Sequence, residues 1–138
     1  MISNHLKFIS IAHNIASKNL GKTFPNPSVG CLITKNNTII SKAVTSSSGR
    51  PHAEEKALQK AGKKAKGATM YVTLEPCFHN SSSGSCTDQI LRAGIKEIFI
   101  SSVDPDPRTS NKSIKKLKLN KVKVTKGIEK EKTYFLNK

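Results

Sequence analysis

One histidine and two cysteines, His52, Cys77 and Cys86, stand in three separate stretches of this chain, and they constrain it most because a shared purpose requires them to meet at one point. Pro51-His52-Ala53-Glu54 opens a stretch of helical pattern over residues 53–65. Glu75-Pro76-Cys77 follows a β-rich run over 68–73, and Cys86 opens a second helical stretch. The fold must therefore bring two helix starts to the end of one strand. At a helix start, free N–H groups and the positive end of the macrodipole favour thiolate over thiol. Imidazole nitrogen and thiolate sulfur are zinc donors, and three protein ligands leave the fourth tetrahedral position to water. Glu54, two residues after His52, supplies a carboxylate that the metal does not need as a ligand. Together these are the parts of a hydrolytic zinc site, with His52, Cys77 and Cys86 as metal ligands and Glu54 as the catalytic proton carrier.

Taken singly, these residues carry little weight. Cysteines can be inert core thiols, and a histidine can simply cap a helix. Their joint arrangement points to chemistry. A His-x-Glu followed by Pro-Cys-x-x-Cys marks zinc-dependent nucleobase deaminases. Here the first half is present and the second is stretched to Cys77-x8-Cys86.

A length of 138 residues suits one domain over 1–138. No apolar run approaches the roughly 20 residues of a membrane helix, and Met1-Ile2-Ser3-Asn4-His5 lacks a signal-peptide layout. A cytoplasmic location with no membrane partner is expected. Cys31, inside the apolar run Val29-Gly30-Cys31-Leu32-Ile33, reads as a buried core thiol. The net charge of +15 raises the question of nucleic acid. However, Lys115, Lys116, Lys118, Lys121, Lys123 and Lys126 follow Lys112 without the interleaved aromatics that stack on bases. They read as a solvated basic face, which disfavours a nucleic-acid partner.

Along the chain, Ser3 can cap a first helix carrying Leu6, Ile9, Ile15, Ala16 and Leu20, with Gly21 as its stop. Residues 29–34 and 38–44 read as two strands joined at Asn36-Asn37, a dipeptide that tolerates positive φ. Helix and strand then alternate: a helix over 53–65, a strand over 68–73, a helix over 86–93 stopped by Gly94, and a strand over 97–101. A last strand over 122–125 and a short terminal helix follow. This order implies an α/β fold with a mixed sheet covered on both faces and a site at strand and helix ends.

Several further segments carry a resemblance: Pro25-Asn26-Pro27-Ser28-Val29-Gly30, Ala68-Thr69-Met70-Tyr71-Val72-Thr73-Leu74-Glu75-Pro76-Cys77, Cys86-Thr87-Asp88 and Asp104-Pro105-Asp106-Pro107. With the His52 segment and the long Cys77–Cys86 gap, the chain resembles, from end to end, the deaminase domain of the riboflavin-biosynthesis deaminase/reductase family. That resemblance implies the cytidine-deaminase-like fold, a three-layer α/β/α sandwich around a five-stranded mixed sheet. It also implies zinc as cofactor and hydrolytic loss of an exocyclic amine from a small pyrimidine-type substrate, a diamino-ribosylamino-pyrimidinone phosphate. Asn26 and Asp104 match substrate-contacting positions of the family.

The departures fall on the substrate side. Thr45 stands where the family usually has a histidine, Ser82 where it has a basic residue, and Asp106 where it has an asparagine. Arg50 and Arg108 lie beside these segments and are the nearest candidates to hold a phosphate instead. The 138 residues hold no dinucleotide fingerprint, which leaves two expectations, that the family's reductase is a separate protein or that this enzyme has left the pathway; a homo-oligomer is the other protein partner considered. Three alternatives stay open: a diverged deaminase of another base, nucleoside or nucleotide; a base deaminase acting on RNA or DNA; and a non-enzymatic zinc-binding interaction module.

Overall fold

The computed structural model describes residues 2–18, 28–45, 52–77, 85–102 and 111–127. In chain order they form α1 (Ile2–Ser17), β1 (Gly30–Lys35), β2 (Thr38–Val44), α2 (Ala53–Ala61), β3 (Thr69–Leu74), α3 (Cys86–Ala93), β4 (Glu97–Ser102), α4 (Lys112–Leu119) and β5 (Lys123–Lys126). The strands make a five-stranded sheet in the order β2-β1-β3-β4-β5. β1 runs antiparallel to both β2 and β3, whereas β3, β4 and β5 are mutually parallel. The sheet is mixed, as expected, and β3 is the strand at which its direction pattern changes.

Successive side chains on a strand point to opposite faces, and here that alternation sorts the core into two layers. Leu32, Tyr71 and Phe99 meet Phe8, Ile9 and Ala12 of α1. Cys31, Ile33, Met70, Val72, Ile98 and Ile100 face the other way, against Ala53, Ala57, Leu58 and Ala61 of α2, Ile90 of α3, and Ile114 and Leu117 of α4. This is the three-layer α/β/α sandwich. Cys31 is fully buried, as its apolar setting suggests. His13 packs inside the α1 layer, its Nε2 at 2.9 Å from Ser101 Oγ on β4.

The hairpin between β1 and β2 turns at Asn36 and Asn37, with φ of 52° and 62°. Both central residues of a type I′ turn need positive φ, which asparagine tolerates better than most residues.

Three elements differ from the expected pattern. α1 stops at Ser17, ahead of Gly21, and hydroxyls take its last carbonyls: Ser17 Oγ donates to Asn14 O at 2.8 Å and Ser28 Oγ to Ala16 O at 2.7 Å. α2 ends at Ala61, where Gly62 takes φ 57° and the chain tightens into a 3-10 turn over Gly62–Ala65. The lysines from residue 112 are not a featureless basic stretch. Lys112, Lys115, Lys116 and Lys118 lie on α4, a helix whose buried Ile114 and Leu117 stand one turn apart, and Lys123 and Lys126 lie on β5. The terminal helix expected after residue 127 lies outside the described residues.

Gly30 sets how closely α1 can approach the sheet. A Cβ there would lie 2.0 Å from the carbonyl oxygen of Ala12 and 2.9 Å from its carbon, both backbone atoms that cannot rotate aside. Gly30→Ala must therefore push α1 off β1, and overpacking of this kind costs about 1–3 kcal/mol. We expect a lower denaturant midpoint with an unchanged m-value; a midpoint equal to the wild type would mean that α1 is not held at this distance.

Candidate active site

The two helix starts and the strand end do meet. His52 is the N-cap residue of α2, extended at φ −69° and ψ 158°, and its carbonyl accepts the Lys56 N–H at 3.1 Å. Cys86 is the first residue of α3, with Ser85 as N-cap accepting the Asp88 N–H at 3.1 Å. Cys77 lies just past β3, held to α3 through both sulfur and backbone. The Cys86 N–H donates to Cys77 Sγ at 3.1 Å, while Thr87 donates to the Cys77 carbonyl through N–H at 3.2 Å and Oγ1 at 2.8 Å.

The donor atoms of His52, Cys77 and Cys86 all lie within 4.8 Å of one another, with His52 Nδ1 at 3.3 Å from Cys86 Sγ. One imidazole nitrogen and two sulfurs suit zinc, and three protein donors is the number that catalytic zinc sites keep. The residues present therefore fit a zinc ion. The hydrogen bond from the Cys86 thiol holds the Cys77 thiol well below its ordinary value, and the same bond raises Cys86.

Glu54 occupies the second position of α2 and is buried, 4% exposed. Burial pushes its carboxyl up to about 7, against a lesser lowering by backbone hydrogen bonding. Beneath it, burial holds the Cys31 thiol well above its ordinary value, and the charge of Glu54 raises it further.

Of the residues read as substrate contacts, Thr45 is described. It is buried at the end of β2, with its Oγ1 accepting the Val29 N–H at 3.0 Å and lying 3.4 Å from the Val29 carbonyl. Asn26, Ser82, Asp104 and Asp106 lie outside the described residues, as do Arg50 and Arg108.

Two acidic residues around the site escaped the sequence reading. Glu75 is buried; its carboxylate accepts the Asn111 N–H at 3.0 Å and the Ser113 hydroxyl at 2.5 Å, and its own N–H donates to Ser102 O at 2.8 Å. A carboxylate between Leu74 and Pro76, at the end of an apolar strand, needs donors from elsewhere in the fold, and that requirement was the signal available. Glu55, the third residue of α2, accepts the His52 N–H at 3.1 Å. Its signal was the capping-box offset, three residues after the N-cap.

The comparisons agree with this geometry. Residues 2–102 match the family of the cytidine and deoxycytidylate deaminase zinc-binding region. The chain is 42% identical over 130 residues to riboflavin biosynthesis protein RibD of Aquifex aeolicus, covering 94% of this chain and 36% of that protein. It is 42% identical over 116 residues to a diaminohydroxyphosphoribosylamino-pyrimidine deaminase of Buchnera aphidicola subsp. Schizaphis graminum, covering 84% of this chain and 79% of that one. Among solved structures, Acinetobacter baumannii RibD superposes with a TM-score of 0.94 at 35% identity, over 99% of this chain and 38% of its own. The chain thus spans little more than a third of the RibD proteins it matches. It belongs to the cytidine and deoxycytidylate deaminase zinc-binding family, a class of zinc-dependent hydrolytic deaminases.

Protein purified without added metal should carry about one zinc per chain by elemental analysis. Cys86→Ala, which removes one donor, should lose the metal and some stability. Full zinc occupancy in Cys86→Ala would remove that cysteine from the ligand set.

Proposed function

We propose that this chain removes the exocyclic amine of a diamino-ribosylamino-pyrimidinone phosphate, the reaction class named for its Buchnera aphidicola relative. The observation that carries the reading is the convergence of His52, Cys77 and Cys86 beside the buried Glu54. Those three residues would hold zinc, which when bound supplies Lewis-acid activation of water. Glu54 stands two residues along α2 from His52, beside that group and outside it. It takes a proton from the attacking water and returns protons to the ring nitrogen and the departing amine. Water adds at the ring carbon bearing the amine, the carbon–nitrogen bond breaks, and ammonia leaves as the carbonyl forms. No covalent intermediate on the protein is required. The reductive step that follows in the pathway falls to a reductase outside these 138 residues.

Glu54→Gln separates the proton carrier from the metal ligands. It should keep its zinc and its fold while kcat falls on the order of 10²-fold or more. Zinc loss comparable to that of Cys86→Ala would show that Glu54 is itself a ligand.

The substrate side supports a second reading, a diverged deaminase of another amine-bearing ring. The Thr45 hydroxyl is already engaged by the Val29 backbone, and Ser82 brings no cation. If the phosphate is held by Arg50 or Arg108 instead, each charge-assisted contact contributes about 1.5–3 kcal/mol. Arg50→Ala or Arg108→Ala should then raise KM for the phosphorylated intermediate roughly 10- to 150-fold and leave its dephosphorylated form little changed. Turnover of neither form by zinc-loaded protein would favour the second reading.

A further inference from the structure

The two ligand-bearing helices are joined by more than their ligands. Glu55 Oε1 accepts the His52 N–H at 3.1 Å and lies 3.9 Å from His52 Nδ1. Its other oxygen, Oε2, accepts from Gln89 Nε2 at 3.4 Å, and Gln89 belongs to the first turn of α3, three residues after Cys86. The Gln89 N–H is in turn bonded to the carbonyl of Ser85, the N-cap of α3, at 3.1 Å. One carboxylate therefore grips the backbone of His52 on one side and the first turn of the Cys86 helix on the other. It is largely shielded, with its side chain 15% exposed, so solvent competes weakly for these bonds.

From this arrangement we infer that Glu55 is a positioning residue for the metal site, using Gln89 to fix the spacing between His52 on α2 and Cys86 on α3. Cys86 is tied to Cys77 directly, through its N–H. Glu55 ties the backbone of His52 to the first turn of the helix that carries Cys86. Residues that orient ligands from behind typically change metal affinity 10- to 100-fold when removed. Glu54 and Glu55, adjacent in sequence, thus divide the work: the first faces the reacting water, and the second holds the frame.

This inference rests on the zinc reading, and the two fail separately. Zinc affinity is measured by competition with a chromogenic chelator on the full chain, alongside the denaturant midpoint of the metal-free protein. Glu55→Ala should weaken zinc binding about 10- to 100-fold, and Glu55→Gln, which keeps an acceptor for the His52 N–H while Gln89 can present its carbonyl, should recover most of that loss. Gln89→Ala should fall between them. Ser41→Ala serves as the control for stability alone, since it removes the Ser41 Oγ–Ala57 O bond of 2.7 Å between β2 and α2, neither residue being among the three donors. Wild-type affinity in Glu55→Ala, no effect of Gln89→Ala, or an equal loss in Ser41→Ala at matched destabilisation would each overturn the positioning role. Wild-type protein without zinc would instead overturn the metal reading.

Discussion

The hydrogen bond from the Cys86 N–H to Cys77 Sγ, at 3.1 Å, is the interaction on which the site depends. It joins the positive end of α3 to the carboxyl end of β3, so the same N–H that a helix start leaves without an intrahelical partner stabilises a thiolate. β3 lies where the sheet passes from antiparallel to parallel neighbours. α2 and α3 pack on the same face of the sheet, and their starts meet at the carboxyl end of β3, where the donor atoms of His52, Cys77 and Cys86 come together.

Much of the architecture was legible because short-range chemistry and long-range packing agreed. Asn36-Asn37 made the hairpin, Gly94 stopped α3, and the β-rich run over 68–73 became β3. α4 was missed because charge concealed its pattern: Ile114 and Leu117 are only two apolar anchors among many lysines, and Leu119 is 78% exposed. The end of α1 draws on Ser28, eleven residues beyond Ser17, a partner that no local pattern announces. In the site, the meeting of His52, Cys77 and Cys86 was readable from their spacing. Glu55 and Glu75 were not, because their value lies in the partners that folding brings to them.

Glu75 shows how much a single buried carboxylate can organise. Its N–H holds the end of β4, and its two oxygens hold the start of α4. Asn111 takes φ 62° as the N-cap of that helix and offers no side-chain cap, and Glu75 anchors the helix start through the Asn111 N–H and the Ser113 hydroxyl. A buried carboxylate surrounded by donors is costly to leave half satisfied. The position of α4 and the strand end that leads to Cys77 are thereby coupled.

The two edges of the sheet are guarded by different means, and salt distinguishes them. On β2, ammonium groups from α2 occupy backbone carbonyls, with Lys56 Nζ on Val44 O at 2.8 Å and Lys60 Nζ on Lys42 O at 3.1 Å. β5 is short, and its exposed Lys123 and Lys126 keep other strands away chiefly by like-charge repulsion. Ionic strength screens repulsion beyond about 8 Å at physiological salt but leaves a direct hydrogen bond largely in place. Of the two described edges, then, salt weakens the protection of β5 and spares that of β2, whose carbonyls stay occupied.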